Sequence, residues 1–297
     1  MTQDLDKLKI NFDNEGLWVL NVALAIIMFG VALGITKNDF IRLIKTPRIL
    51  FTGIASQFVL LPLITFFYVK LTNPMPSIAL GLFMVAACPG GNISNFITHY
   101  AKGNSALSVS LTAVATLLSL VMTPFNFHFW ANLHTPTAEL LKTVSLDPWA
   151  LVKLVTLLLG VPLILGMYVR SKNEVLALKI SNVLKPFSLL VFMVLIFAAL
   201  SKNWDIILNF VKFVAALVII HNLLAILTGY SFAKLMKLNF KDQKTLAIET
   251  GIQNAGLGLL LVFSFFDGLG GMALLVAFWA IWDIFSGLAL GFYWSKK

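Results

Sequence analysis

The chain has 297 residues, of which 59% are hydrophobic and 12% charged, with a mean hydropathy of +0.90 and a formal net charge of +9. Soluble domains run at roughly 45–50% apolar and about 25% charged, so a water-soluble globule, a disordered chain and a collagen-like repeat are excluded. Cys88 is the single cysteine, which leaves no internal disulfide framework; what remains is an integral membrane protein.

In chain order, residues 1–16 carry Asp4, Asp6, Asp13 and Glu15 with no basic leader, so they read as a short polar external tail and not as a secretory signal. A hydrocarbon core about 30 Å thick takes about 20 apolar residues in a helix. Windows of that kind fall at 17–35, 48–70, 77–100, 105–128, 149–169, 184–201, 213–233, 243–266 and 271–294. They are continuous runs of Leu, Ile, Val, Ala and Phe, unlike the alternating strands of a membrane barrel. The predicted fold is therefore an all-α polytopic protein of nine spans. The stretch 129–148, with Trp130 and Pro136, and with Trp149 just beyond it, is expected along the outer interface.

The basic residues set the orientation. With the carboxyl terminus inside, Lys37, Arg42, Lys45, Arg48, Lys102, Arg170, Lys172, Lys179, Lys185, Lys234, Lys237, Lys241, Lys244, Lys296 and Lys297 face the cytoplasm. Lys7, Lys9, Lys70, Lys142, Lys153, Lys202 and Lys212 stay outside. That bias follows the positive-inside rule, and nine spans then put the amino terminus outside in a cell (inner) membrane. The net positive charge is thus a record of topology, and no nucleic-acid partner is called for.

Four spans lie on each side of the fifth, and an odd separation makes the two sets inverted repeats, as in many secondary transporters. The third span is interrupted by Cys88-Pro89-Gly90-Gly91-Asn92-Ile93-Ser94-Asn95, and the eighth, at the matching place, by Glu249-Thr250-Gly251-Ile252-Gln253-Asn254-Ala255-Gly256. Proline and glycine weaken a helix, and backbone groups freed in hydrocarbon cost several kcal/mol unless protein, ions or water satisfy them. A pair of packing kinks would explain either break alone; matched in position and followed by side-chain oxygens, they point to a buried site.

Glu249 is the sharpest feature of that site, because a carboxylate deep in an apolar segment costs about 2.5–3.5 kcal/mol and needs a partner. No Lys or Arg lies in the interior of the third, fourth or eighth span, so the partner is a bound cation or a proton. Gln57, Ser94, Asn95, Ser108, Thr112 and Gln253 offer the neutral oxygens that hard cations prefer, and Ser108 and Thr112 share one helical face. Histidine and cysteine lack the spacing for zinc or iron. The half-helices that follow the breaks begin near Asn92 and Asn254, where free N–H groups suit a carboxylate or sulfonate. Asp283 is a second buried acid, able to tune the site, to carry a proton or to join helices. His221-Asn222 fits a role in tying helices together.

At these residues the sequence resembles the bile acid:sodium symporter family along essentially its whole length: "MFGVALG" with Gly30 and Gly34, "ASQFVLLP" around Gln57, "CPGGNISN" at 88–95, "KGNSALSVSLTAVATLLS" at 102–119, His221-Asn222 and "AIETGIQNAGL" at 247–257. The resemblance implies one transporter domain over 1–297, divided into a panel (about 17–35 and 149–201) and a core (about 48–128 and 205–294) that holds two broken helices crossing at mid-membrane. It implies two co-transported sodium ions. The first would lie on Ser94, Asn95, Ser108, Thr112 and Glu249; the second on Gln57, Glu249 and Gln253 with the carbonyls of Thr250 and Ile252. Substrate would meet Asn92, Ile93, Asn254 and Asp283. Two departures from the family pattern stand out: no helix precedes the first span, where many bacterial relatives have ten, and Asp283 stands where bacterial relatives can carry His.

The expected function is sodium-coupled import of an organic anion, such as a bile acid or a pantoate-like carboxylate, by alternating access in a monomer. A sodium/proton antiporter of similar crossover architecture is the alternative, although it favours an exchangeable pair of acids or an Asp–Lys pair and Glu249 stands among amides and hydroxyls. No nucleophile, base or metal set shares a face as an enzyme would need, and no ring of like charge suggests a channel.

Overall fold

The computed structural model describes residues 5–10, 14–144, 148–201 and 204–296, and these are all-helical apart from turns and two isolated bridges. Helix α1 (Asn14–Ala32) is the first predicted span. The chain then bends by 70° into the short, basic α2 (Lys37–Ile44). The bend is held by Thr36, whose N–H and hydroxyl donate to the Asp39 carboxylate at 2.8 and 2.7 Å, closing a capping box.

The second span is α3 (Pro47–Ala55), a π-helical turn (Ser56–Leu60) and α4 (Leu61–Thr72). Pro62 has no N–H to give, so the carbonyl of Phe58, four residues earlier, loses its helical partner. Asn126 supplies one through Nδ2 at 2.9 Å. A second π-helical turn (Thr156–Gly160), between α9 (Pro148–Val155) and α10 (Val161–Lys172), likewise stands just before a proline, Pro162.

Two apolar segments are interrupted, between Ala87 and Ile93 and between Gly251 and Ala255. Helices α5 (Pro76–Ala87) and α6 (Ile93–Tyr100) form one broken segment, with α7 (Ser105–Leu133) and α8 (Thr135–Val144) following it. Beyond α11 (Glu174–Ser201) and α12 (Trp204–Leu235), helices α13 (Phe240–Gly251) and α14 (Ala255–Phe265) form the other, and α15 (Gly270–Ser295) ends the chain. Pro47–Thr72, Ser105–Leu133, Trp149–Lys172, Phe210–Leu235 and Gly270–Ser295 are each long and apolar enough to cross a membrane, and α1 with α2 adds a bent sixth. Helices α5 and α14 are apolar but short because each is half of a broken segment.

Helix α11 begins at Glu174 and α12 at Trp204, each running well beyond its expected span, since a helix need not stop where hydrocarbon ends. One expectation is corrected at the start of the chain. The amino-terminal segment is no free polar tail. Leu5 and Ile10 are buried, Ile10 N–H donates to Gly268 C=O at 2.7 Å, and Gly270 N–H donates to Leu8 C=O at 2.7 Å. Asp6 accepts the N–H of Ser77, in the first turn of α5, at 2.8 Å. The acidic residues drew attention away from two apolar side chains that need cover. Asp4, Asp13, Lys202 and Lys297, which entered the topology argument, lie outside the described residues.

Helix α1 packs chiefly on α10 and α11, while α15 packs on α5 and α12, and α12 on α13. Small residues permit the close crossings, as is usual between membrane helices. At Gly166 of α10 an added Cβ would lie 2.5 Å from the Ala32 Cβ, and at Gly30 of α1 it would lie 3.1 Å from Leu184. Trp279, Phe83, Phe127 and the apolar faces of α5, α14 and α15 fill the largest buried cluster.

Candidate functional site

The two breaks meet each other. Gly90 and Gln253 face one another as an isolated antiparallel bridge, flanked by Gly91 N–H to Ile252 C=O at 2.7 Å and Asn254 N–H to Pro89 C=O at 2.8 Å. Two short extended pieces therefore satisfy one another's freed backbone, the condition for irregular chain inside hydrocarbon. The N–H groups of the facing pair point outward, and side chains complete the accounting: Gln57 Oε1 accepts from Gly90 N–H at 3.1 Å, and the Asp283 carboxyl accepts from Gln253 N–H. Thr123 donates to the Ala87 carbonyl at 2.8 Å, and Asn222 Nδ2 to the Gly251 carbonyl at 2.8 Å.

The glycines are required by space. A Cβ on Gly91 would lie 2.7 Å from Gln253 O, and one on Gly90 would lie 2.8 Å from Glu249 O and 3.1 Å from Glu249 Oε2. The same point beside Gly90 is 3.4 Å from Gln57 Oε1, so the Glu249 carboxylate and the Gln57 amide share one small space.

Glu249, on the last turn of α13, is fully buried. Its Oε1 accepts hydrogen bonds from Ser94 Oγ at 2.6 Å and from Ser108 Oγ, and its Oε2 accepts from Thr112 Oγ1 at 3.0 Å. Thr112 Oγ1 also lies 3.4 Å from Asn95 Oδ1. All five residues expected for the first cation site thus converge from three helices: α6, α7 and α13. No ion pair among the described residues includes Glu249, and no cluster of three His, Cys, Asp or Glu occurs among them. What surrounds the acid is a set of hydroxyl, amide and carboxylate oxygens, the donor set of a hard monovalent or divalent cation.

The residues expected for the second site gather at the bridge with their oxygens partly engaged. Thr250 C=O accepts from Gln253 Nε2 at 2.7 Å, Ile252 C=O from Gly91 N–H, and Gln57 Oε1 from Gly90 N–H. Gln253 Oε1 and Gln57 Nε2 are buried with no partner among the described residues, a costly condition for polar atoms that a bound ion or water relieves.

A cavity of about 780 Å³ opens beside the bridge, lined on one side by Leu24, Ile27, Val31 and Ile35 of α1 and its following turn. Asn92, Ile93, Asn254 and Asp283, the expected substrate residues, all line it, together with Asn95, Thr112 and Gln253 from the two cation sets. The N–H groups of Asn92, Ile93 and Gly256, at the starts of α6 and α14, have no hydrogen-bond partner among the described residues. The Asn254 side chain is engaged: its Oδ1 caps α14 by accepting from Leu257 N–H at 3.1 Å.

Several functional contributions were not singled out from sequence. Ser56 pairs with Thr250 at 3.0 Å. Lys244, buried at the start of the eighth segment, donates to Ala101 C=O at 3.0 Å and Trp294 C=O at 3.3 Å, placing its charge at the carboxyl ends of α6 and α15. Only the Pro-Gly-Gly and Thr-Gly interruptions gave a signal for this region. His221 meets Thr65 through Nε2 at 2.6 Å, the helix-tying role expected of it.

Broken helices exchanging backbone hydrogen bonds around a buried acid, inside a bundle of membrane-length helices, define a membrane protein of the secondary-transporter class. Residues 21–210 match the Sodium Bile acid symporter family. The "Uncharacterized sodium-dependent transporter YocS" of Bacillus subtilis (strain 168) is 32% identical over 293 residues, covering 98% of this chain and 88% of that protein. The "Probable sodium/metabolite cotransporter BASS1, chloroplastic" of Arabidopsis thaliana is 31% identical, covering 84% of this chain and 60% of that protein. The human "Sodium/bile acid cotransporter 4" is 30% identical, covering 82% of this chain and 55% of that protein. The chain belongs to the sodium bile acid symporter family, a family of sodium-dependent transporters.

Proposed function

We propose that the protein is a sodium-coupled importer of a small organic anion, working by alternating access with the crossing of the two broken helices as its fixed centre. The observation that carries this reading is Glu249: fully buried, outside every ion pair among the described residues, and ringed by Ser94, Ser108 and Thr112. One sodium ion takes Ser94, Asn95, Ser108, Thr112 and Glu249 as ligands. A second takes Gln57, Glu249, Gln253 and the carbonyls of Thr250 and Ile252, and the unpartnered Gln253 Oε1 favours that assignment. The anionic group of the substrate sits at the free N–H groups of Asn92, Ile93 and Gly256, beside the ions. Ion and anion then strengthen each other's binding, which is a coupling free energy between sites.

Nine spans in two inverted sets, with the amino terminus outside, fit the two half-length apolar helices α5 and α14. Helices α1, α9 to α11 make the panel, in keeping with the packing of α1 on α10 and α11, and the remaining helices make the core. In this orientation the cavity, lined by Ile35, Phe96 and His99 at helix ends toward the basic loops, corresponds to an inward-facing state.

The test is uptake into proteoliposomes of the purified protein. Carboxylate uptake should follow an inward sodium gradient and be lost in Glu249→Gln, with the melting temperature of the variant no longer rising on addition of sodium. Sodium-driven proton movement without any organic solute would replace symport by antiport. Transport indifferent both to sodium and to Glu249→Gln removes the reading.

A further inference from the structure

The proposed substrate cavity holds a second acid whose position says more about the solute than the cavity's size does. Asp283, on α15, is 3% exposed and lines the cavity. One part of its role is met inside the protein, where its carboxyl accepts the N–H of Gln253 and so fixes the outward-pointing backbone of the bridge. A carboxylate has about four acceptor positions on two oxygens, and the backbone N–H groups of Gln253 and Ile284 fill two of them. No ion pair among the described residues involves Asp283.

Among the described residues, the cavity lining contains neither Lys nor Arg. Its one imidazole, His99, lies at the helix end near the mouth, within 3.3 Å of Ser105 Oγ. The rest of the wall is largely apolar, from Leu24, Ile27 and Val31 on one side to Ala280, Ile284 and Leu288 on the other. A solute with only a negative group would be well placed at the unpartnered N–H groups of Asn92, Ile93 and Gly256 but would bring that charge into a cavity that already holds an acid. Among the described lining residues, Asp283 is the one acid, and it has no cationic partner there.

Resting on the reading of this cavity as the substrate site, we propose that Asp283 is its specificity-determining residue and that the transported organic anion also carries an ammonium group, joined to its carboxylate or sulfonate through an apolar body, that pairs with Asp283. The ammonium supplies three donors to the remaining acceptor positions of Asp283. Specificity of this kind comes from what is left unpaired when the wrong solute enters.

The experiment uses the purified full-length chain and three matched probe sets of six and twelve carbons: ω-amino carboxylates, ω-hydroxy carboxylates and plain carboxylates. Binding is read as the rise in melting temperature in sodium, which follows mass action. The ω-amino acids should bind at least about tenfold more tightly than their hydroxy and plain counterparts, a free-energy difference of about 1.4 kcal/mol. Asp283→Asn keeps an acceptor for Gln253 N–H and loses the charge; it should level the three sets while keeping the sodium-induced rise. Asp283→Leu, which also strands that N–H, should weaken the sodium response itself. The proposal is overturned if hydroxy or plain acids bind as well as amino acids, if no amino acid binds, or if Asp283→Asn leaves the preference in place. Loss of the sodium-induced rise in the wild-type protein would instead overturn the underlying transporter reading.

Discussion

At the scale of single residues, the ring around Glu249 separates the proposed ligands from their neighbours. Thr112 donates to Glu249 Oε2, whereas Thr116, one turn along α7, spends its hydroxyl on the Thr112 carbonyl at 2.7 Å. Valine matches threonine in shape. Hydrogen bonds to charged groups contribute about 1.5–3 kcal/mol, so Thr112→Val should raise the sodium concentration for half-maximal stabilisation at least tenfold. Thr116→Val should leave it nearly unchanged, and equal effects would show that the ring is not the ion site. Outside the spans, His134 titrates in a way the fold opposes. It is buried beyond the end of α7, with Nδ1 3.2 Å from Thr137 Oγ1, and burial, aided by the positive Lys70, holds its imidazole below the ordinary 6.5. The unfolded chain then takes up the proton more readily than the native one, so the stability present above about pH 6.5 falls as pH drops below it. His134→Asn keeps an N–H for Thr137 and should flatten the melting-temperature difference between pH 7.5 and pH 5.5. If wild type and variant keep the same slope, His134 contributes nothing to it.

At the scale of elements, what the sequence made legible was interruption more than contact. Pro89-Gly90-Gly91 and Thr250-Gly251 marked both breaks, and Glu249 marked the inner face, because Pro, Gly and a buried acid are each costly in an apolar helix. That Gly90 faces Gln253, or that Asn126 serves the carbonyl released by Pro62, was not legible, since both depend on how separate helices dock. Helices α11 and α12 run past their expected spans for a related reason: hydropathy measures the hydrocarbon layer, whereas helix continues into the polar margin. The bridge gives a sharp steric prediction. In Gly91→Ala the new Cβ meets Gln253 O at 2.7 Å and its carbonyl carbon at 3.0 Å, both backbone atoms that cannot turn aside. Overpacking of this kind costs about 1–3 kcal/mol, and here it pushes the half-helices apart, so sodium-dependent uptake should fall by at least tenfold along with the melting temperature. Gly160→Ala, whose Cβ would meet nothing closer than the Leu120 side chain at 3.4 Å, should behave as wild type. Normal transport by Gly91→Ala would mean that the bridge is dispensable.

At the scale of the whole molecule, the amino-terminal segment joins the two bodies proposed to move. Its hydrogen bonds run to Gly268, in the turn between α14 and α15, to Gly270 at the start of α15, and to Ser77 at the head of α5. All three belong to the proposed core. Four peptide links then separate Ile10 from Asn14 of α1, in the proposed panel, a reach of at most about 14 Å when extended. A panel that shifts against the core to open the outer side must draw on that short reach or lift the segment from its seat. On the proposed panel and core division, docking of the segment favours the proposed inward-facing state. The exposed pair of Lys9 with Asp267, 2.8 Å apart and with side chains 58% and 76% exposed, adds little to the docking, as surface ion pairs generally do. Burial of Leu5 and the bond from Ser77 to Asp6 carry it. Cys88 is fully buried, so a cysteine placed at Ile27, on the α1 wall of the cavity, gives a clean reporter for an impermeant maleimide added outside proteoliposomes. With Leu5→Asp and Asp6→Ala combined, labelling should quicken severalfold; with Lys9→Ala it should not. Equal labelling in all three proteins would show that the segment rides with the core and does not restrain the panel.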